Sequence, residues 1–429
     1  MRILQITAGA ANMYCGSCLR DNALAAELIA QGHKVTLVPL YTPTLTDETN
    51  VSSGRVFFGG ISVYLQQKSS LFRKTPKFLD RLWDSKTALR AATSGSIQTN
   101  PADLGGLTVG MLTGEDGNLK KEFGKFLTWA ASEPKPDVVV LPYTLLIGLA
   151  APIKRVLGCP IVCALQGEDL FLEGLAEPWR TDSLRLIRSQ VQHVDLFAPV
   201  SDFYARLMSS YLSIPRTRME VLPLGISTKG LDAKEPKLPS GPLKFGYMAR
   251  VAPEKGLHVL AEAFRIVRQE RSDVVLEAAG YMAPEQKGYL AECRKIADFP
   301  YHGTLDREQK IEFLKRVDVV CVPSPYAEPK GLYLLEAMAV GTPFLQPAHG
   351  AFPEIEAKTG GGLLAESAEP QDVARGIRTL AANRSLIPEL SRKAAEGVRR
   401  EYSIERSARR AVEIYSKVLG HSRAAEVAS

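Results

Sequence analysis

Long apolar runs are what this chain most plainly lacks. None reaches about 18 residues without a charge, so no membrane-spanning helix is expected. The first residues, Met1-Arg2-Ile3-Leu4-Gln5-Ile6-Thr7, have neither an extended charged region nor a long apolar core, and they read as a first strand, not a secretory leader. The expected location is the cytoplasm, with peripheral contact at the inner face of a membrane left open. Dense basic tracts are also missing: a net charge of +6 suits an anionic substrate or surface but not a nucleic-acid binder. Of six cysteines, only Cys15-Gly16-Ser17-Cys18 has the spacing of a redox or metal pair. Zinc would need two further ligands, and with no second close Cys/His pair in the chain no metal is expected. The other four, at 159, 163, 293 and 321, sit in apolar segments and read as small buried hydrophobes. No short-period repeat is visible.

What is present is the composition of a soluble globular protein, 45% apolar and 23% charged, in a chain of 429 residues, too long for one compact core. Two domains of about 200 residues are the default. Strand and helix signals alternate from the start: strand Arg2–Thr7, helix Leu19–Gln31 stopped by Gly32, strand Lys34–Leu40. The loop Ala8–Ser17 then lies at the carboxyl end of the first strand, where open α/β sheets bind ligands. Residues 47–130 break the pattern and read as a variable insertion. Between Lys68 and Arg90, basic residues interleave with Phe72, Phe78, Leu82 and Trp83, which suits a solvated helix with a buried stripe, a membrane-surface contact or an acidic acceptor. Short apolar runs at Asp137–Tyr143, Ile161–Leu165, Leu196–Val200 and Glu220–Leu222 are core strands. Lys229–Pro242, rich in Lys, Pro and Gly, is the expected linker. A second alternating domain follows, with strands Lys244–Met248, Val274–Ala279 and Val317–Val322 and helices Gly256–Gln269, Glu285–Ala297 and Arg307–Arg316. The expectation is an α/β protein of two Rossmann-like, doubly wound domains, 1–230 and 242–403, with a C-terminal helix, 404–429, returning to the first.

The most informative stretch is Pro323 to Glu354. Glu328 lies in a Pro/Gly-rich turn, and Glu336 lies in the apolar run Leu332–Val340 that Gly341 and Pro343 stop. A helix starting after Gly331 offers unpaired N–H groups and the positive end of its dipole to an anion. A carboxylate one turn on can accept both hydroxyls of a cis-diol, and one in the preceding loop can hold a second polyol. Phosphate between two sugars describes a sugar nucleotide. The plainer reading is a solvated helix acid and an ordinary turn acid. In Phe245–Gly256, Arg250 and Lys255 flank the turn leaving a strand, where a guanidinium fork and a point charge can neutralise a diphosphate or simply cap a turn.

In order and spacing, R-V-A-P-E-K-G-L, Y-H-G-T-L, the pair Glu328 and Glu336 with E-A-M-A-V-G-T-P, then A-F-P-E-I-E and T-G-G-G-L-L resemble the retaining glycosyltransferases of family 4, which have the GT-B fold. The likeness runs over about residues 220–370 and includes the N-terminal loop and its helix ending Q-G-H-K-V. It implies two Rossmann-like domains facing across a cleft, a nucleotide-diphosphate sugar as co-substrate, no further cofactor, and a carbohydrate, lipid-linked or small-molecule acceptor read by the first domain. It implies that Arg250 and Lys255 bind the donor diphosphate, Glu336 the ribose and Glu328 the transferred sugar. Gly331 and Leu332 would offer backbone N–H groups, the backbone at His302, Gly303 and Thr304 would meet the base, and Gly16 would let the first loop approach. Three departures stand out: Cys15 replaces the first glycine of the family's pair, Lys330 stands where Phe is common, and Gln166 stands where a histidine usually contacts the donor sugar. Gln cannot act as acid or base near neutral pH; Glu168 or Asp169, close by in the sequence, would have to compensate. Other readings of the same residues are a sugar-nucleotide hydrolase or epimerase, and a sugar-nucleotide-binding protein without turnover.

Overall fold

The computed structural model describes residues 1–9, 16–46, 48–58 and 101–428. Cys15 and the basic stretch 68–90, singled out above, lie outside them. The chain divides into two compact units, Met1–Pro223 with the chain from Ser407 onward, and Leu224–Arg406.

In the first unit, β1 (Arg2–Thr7), β2 (Lys34–Pro39), β3 (Val138–Leu141), β4 (Ile161–Leu165) and β5 (Leu196–Pro199) form one parallel sheet in the order β2-β1-β3-β4-β5. Every residue of β3, β4 and β5 is buried, as expected of strands covered on both faces by crossover helices. Helix Gly16–Ala30 joins β1 to β2, and Gly32, at φ +88°, turns the chain back. From Ser407 the long helix Ile404–Ala428 contributes to this unit: Ser407 Oγ donates to Pro223 O at 2.8 Å, and Arg410 and Lys417 both donate to Glu220.

The irregular insertion resolves, past residue 100, into helices Pro101–Thr113 and Lys120–Ser132. The first escaped notice because Gly105 and Thr108 share its buried face with Met111 and Leu112. A Cβ at Gly105 would stand 2.2 Å from Trp179 Cδ1, so the indole of helix Trp179–Gln190 rests on bare backbone. The second packs Phe126 and Trp129 against Phe57, with ring centroids 5.4 and 4.8 Å apart. A further correction concerns Glu220–Leu222. This segment runs beside β5 through an isolated bridge and two bonds, Glu220 N to Phe197 O and Leu222 N to Pro199 O, too few to extend the ladder as a strand.

The second unit repeats the plan with β6 (Leu243–Met248), β7 (Val274–Ala279), β8 (Val319–Cys321), β9 (Phe344–Pro347) and β10 (Gly362–Ala365), all parallel, in the order β10-β9-β8-β6-β7. Counted along each unit, both sheets have the order 2-1-3-4-5. In such sheets the switch point, here between β6 and β8, opens a crevice at the carboxyl ends of the strands. The Lys/Pro/Gly-rich stretch 229–242 lies within this unit. Lys234 N donates to Val340 O at 3.0 Å, and Lys234 Nζ reaches Val317 O at 2.5 Å and Lys315 O at 3.3 Å, where helix Arg307–Arg316 ends.

Candidate functional site

The loops leaving β6, β8 and β9 are pressed together by positions where only glycine fits. Gly256 has φ +74°, and a Cβ there would stand 2.0 Å from Pro323 O, so the β6 loop lies directly on the β8 loop. Ser324 Oγ, 2.6 Å from Glu254 O and 2.8 Å from Tyr326 O, stitches the same two loops. Gly350, at φ +64°, brings the β9 loop onto Glu328: a Cβ would be 2.6 Å from Glu328 O, which accepts from Ala351 N at 2.8 Å.

This packing brings together charges far apart in sequence. Lys255 donates to Glu328, with side chains 16% and 7% exposed. Gly331, at φ +70°, precedes helix Leu332–Ala339; Leu334 and Leu335 N–H bond back to Gly331 O, so the amides of Leu332 and Tyr333 come before the first helical bond. One turn on, Glu336 accepts from Lys310 Nζ at 2.7 Å, with side chains 20% and 12% exposed. Arg250, half exposed, lies 2.5 Å from Glu254 Oε1, and its carbonyl accepts from Tyr247 OH at 2.9 Å. At the carboxyl end of β7, His302 N donates to Ala278 O at 2.9 Å, His302 Nε2 lies 2.9 Å from Glu277 Oε2, and Gly303 O accepts from Gly280 N at 2.9 Å. Arg250, Lys255, His302, Gly303, Glu328, Gly331, Leu332 and Glu336 therefore share one unit and the carboxyl side of one sheet.

Gly16 and Gln166 belong to the other unit. Gly16 opens its helix, and among the described residues nothing lies within 4 Å of where a Cβ would project. Gln166, following β4, is 2% exposed; its Nε2 donates to Pro142 O at 2.7 Å and its N to Glu168 Oε2 at 2.8 Å. Glu168 also accepts from Thr144 N, Thr144 Oγ1 and Tyr204 OH at 3.1–3.2 Å. Burial raises its carboxyl pKa against the lowering effect of the amides it accepts. Glu168 thus ties together the carboxyl ends of β3 and β4, and Gln166 is packed into that knot.

Residues the sequence reading passed over are Lys310, Glu254, Tyr333 and His349. Tyr333 OH is buried without a hydrogen-bond partner among the described residues, and burial, then the nearby Glu328 charge, push its pKa well up. His349, in the β9 loop, has its pKa lowered by burial. Lys310 was visible only as the fourth residue of a helix opened by Asp306-Arg307-Glu308-Gln309, a capping box. Among the described residues no group of three or more His, Cys, Asp or Glu could hold a metal ion. No helix among them is long and apolar enough to cross a membrane. Chemically, the second unit offers a cationic turn, a helix start and two acids each paired to a lysine, a set suited to a phosphorylated polyol.

Two doubly wound parallel domains of this order define the GT-B fold class, and solved structures agree. Anabaena HepE in complex with UDP superposes with a TM-score of 0.69 at 15% identity, over 97% of this chain and 100% of that one. Sucrose-phosphate synthase from Thermosynechococcus elongatus gives 0.70 at 16%, over 98% and 99%. The chain belongs to the group 1 glycosyltransferase family: residues 229–400 match "Glycosyl transferases group 1" and residues 22–225 "Glycosyl transferase 4-like domain". It is similar to the amylovoran biosynthesis glycosyltransferase AmsK of Erwinia amylovora, 26% identical over 261 residues, which is 57% of this chain and 62% of AmsK. It also resembles glycogen synthase of Mycobacterium tuberculosis, 33% identical over 147 residues, 33% of each chain. The chain thus aligns with less than two thirds of these relatives' length.

Proposed function

We propose that the protein transfers a sugar from a nucleoside diphosphate sugar to an acceptor hydroxyl with retention of anomeric configuration. The observation that carries this reading is the meeting of Lys255 with Glu328 beside the Gly331 helix start, with Glu336 one turn further on. Arg250 and Lys255 meet the charge that develops on the leaving diphosphate, so a bound cation is not required. Gly331 and Leu332 present backbone to phosphate or sugar, Glu328 holds the transferred sugar, Glu336 the ribose diol, and the backbone at His302 and Gly303 the base. The anomeric C–O bond to the diphosphate breaks as the acceptor oxygen bonds the same face, and the acceptor proton passes to the leaving phosphate oxygen. Because the phosphate takes that proton, no side-chain base is needed, and Gln166 in place of a histidine does not stop the reaction. Acceptor recognition falls to the first domain.

UDP-glucose is the first donor to try, because HepE was also solved with it; GDP and ADP sugars complete the screen, read as ligand-dependent stabilisation. With donor and a panel of carbohydrate and lipid-linked acceptors, product formation should persist in EDTA. Lys255→Ala should lower turnover by about 10²–10³-fold with the fold intact. Near-normal turnover in that variant, or inversion at the anomeric carbon, would refute the assignment. The buried Gln166 favours a second reading, donor binding without turnover. Tight nucleotide-sugar binding with no product from any acceptor and no hydrolysis would select it.

A further inference from the structure

Each acid of the site is held by a lysine, but the two lysines have different tasks. Lys255 lies in the turn that faces the diphosphate in the reading above, so it divides its charge between Glu328 and the ligand. Lys310 pairs with the acid that takes the ribose in that reading. It comes from helix Arg307–Arg316, just after the loop through His302 and Gly303, and places Nζ 2.7 Å from Glu336 Oε1.

Three features set this pair apart from an ordinary surface ion pair. Both side chains are largely withdrawn from water, at 12% and 20% exposure, so the charge is weakly screened. Lys310 also sits in the first turn of its helix, where the positive end of the dipole opposes a cation. The start of that helix is fixed by Asp306, whose carboxylate accepts from Gln309 N at 2.9 Å while Asp306 N donates to Gln309 Oε1 at 3.1 Å. The backbone that carries Lys310 is therefore pinned one residue before the turn from which the side chain reaches out. A lysine at this place is disfavoured by its own helix and held by the acid of another.

We infer that Lys310 is a positioning residue for the ribose clamp. It fixes one oxygen of Glu336, so the other oxygen accepts from the 2′- and 3′-hydroxyls; in this way Lys310 sets the preference for ribose over 2′-deoxyribose. A carboxylate has about four lone-pair sites, so one ammonium contact leaves room for both hydroxyls. The inference rests on the donor site proposed above.

The test is calorimetric titration of the full chain with UDP, GDP and ADP, and with the 2′-deoxy counterpart of whichever binds. The wild type should favour the ribonucleotide. Lys310→Met should weaken ribonucleotide binding about tenfold, the scale of a hydrogen bond to a charged group, and bring the ribose-to-deoxyribose ratio close to one. Lys310→Arg should recover most of the ratio. In the double variant Lys310→Met/Glu336→Gln the loss should not exceed that of Glu336→Gln alone, since the two act as one unit. Lys310→Gln, nearly isosteric and uncharged, replaces the Met variant if that one does not fold, and should behave alike. If the wild type discriminates and Lys310→Met or Lys310→Gln keeps the full ratio, the pair only straps two helices together and the inference falls. A wild type that binds both sugars equally takes Glu336 off the ribose and overturns the donor-site assignment too.

Discussion

Lys255 and Glu328 were each readable as candidates, but nothing in the sequence joins positions 73 residues apart; the β6 loop lying on the β8 loop at Gly256 and Pro323 O brings them into contact. Gln166 shows the opposite outcome: legible as an unusual residue at a strand end, it is buried with its amide N–H on Pro142 O. Lys234 was read as part of a linker, yet it is the residue whose titration the fold alters most usefully. Withdrawn from water beside the carbonyls of Lys315 and Val317, it has a pKa lowered by burial from 10.5 to about 8. Between about pH 8 and 10.5 the unfolded chain therefore binds more protons than the folded one, and stability from this group rises with pH across that window. Below it both states are charged and the lysine is a constant cost. In urea denaturation the difference between wild type and Lys234→Met should shift in the wild type's favour by up to about 3 kcal/mol over those units. A pH-independent difference would show that Lys234 is not desolvated.

At the level of elements, helix Leu332–Ala339 was legible because an apolar run lies between a glycine start and a glycine-proline stop. Helix Pro101–Thr113 was not, since Gly105 and Thr108 interrupt the buried stripe that Met111 and Leu112 continue, and Gly105 meets the Trp179 ring. Helix Arg307–Arg316 lies between these cases. Its Asp-x-x-Gln start is a local signal, whereas the contact of its first turn with Glu336 is not. Asp306→Ala removes the cap and should destabilise the protein by about 1 kcal/mol, measured by denaturant midpoint at constant slope. Because the same cap seats Lys310, nucleotide binding should weaken in parallel. Loss of stability with unchanged binding would separate the cap from the site.

For the whole molecule, the two units carry separate cores and separate sheets of one topology. The residues of the proposed donor site belong to Leu224–Arg406, apart from Gly16 and Gln166. Calorimetric unfolding is expected to show two transitions. A nucleoside diphosphate at about 100 times its dissociation constant should stabilise the one belonging to the second unit by about 2.7 kcal/mol and leave the other nearly unmoved. Equal shifts of both transitions would place the nucleotide contacts elsewhere. What the sequence determined by itself is whatever depends on neighbours along the chain: the alternation of strands and helices, the glycine before Leu332, the capping box at Asp306, and the motif order that marks the family. Tertiary structure alone decided which charges meet. A parallel sheet brings loops 70 or more residues apart to one edge, and side-chain pairing there depends on loop backbones that pack through single glycines. Thus Lys255 pairs with Glu328 across 73 positions; Lys310 meets Glu336 from helix to helix, and Glu168 takes up the backbone around Gln166.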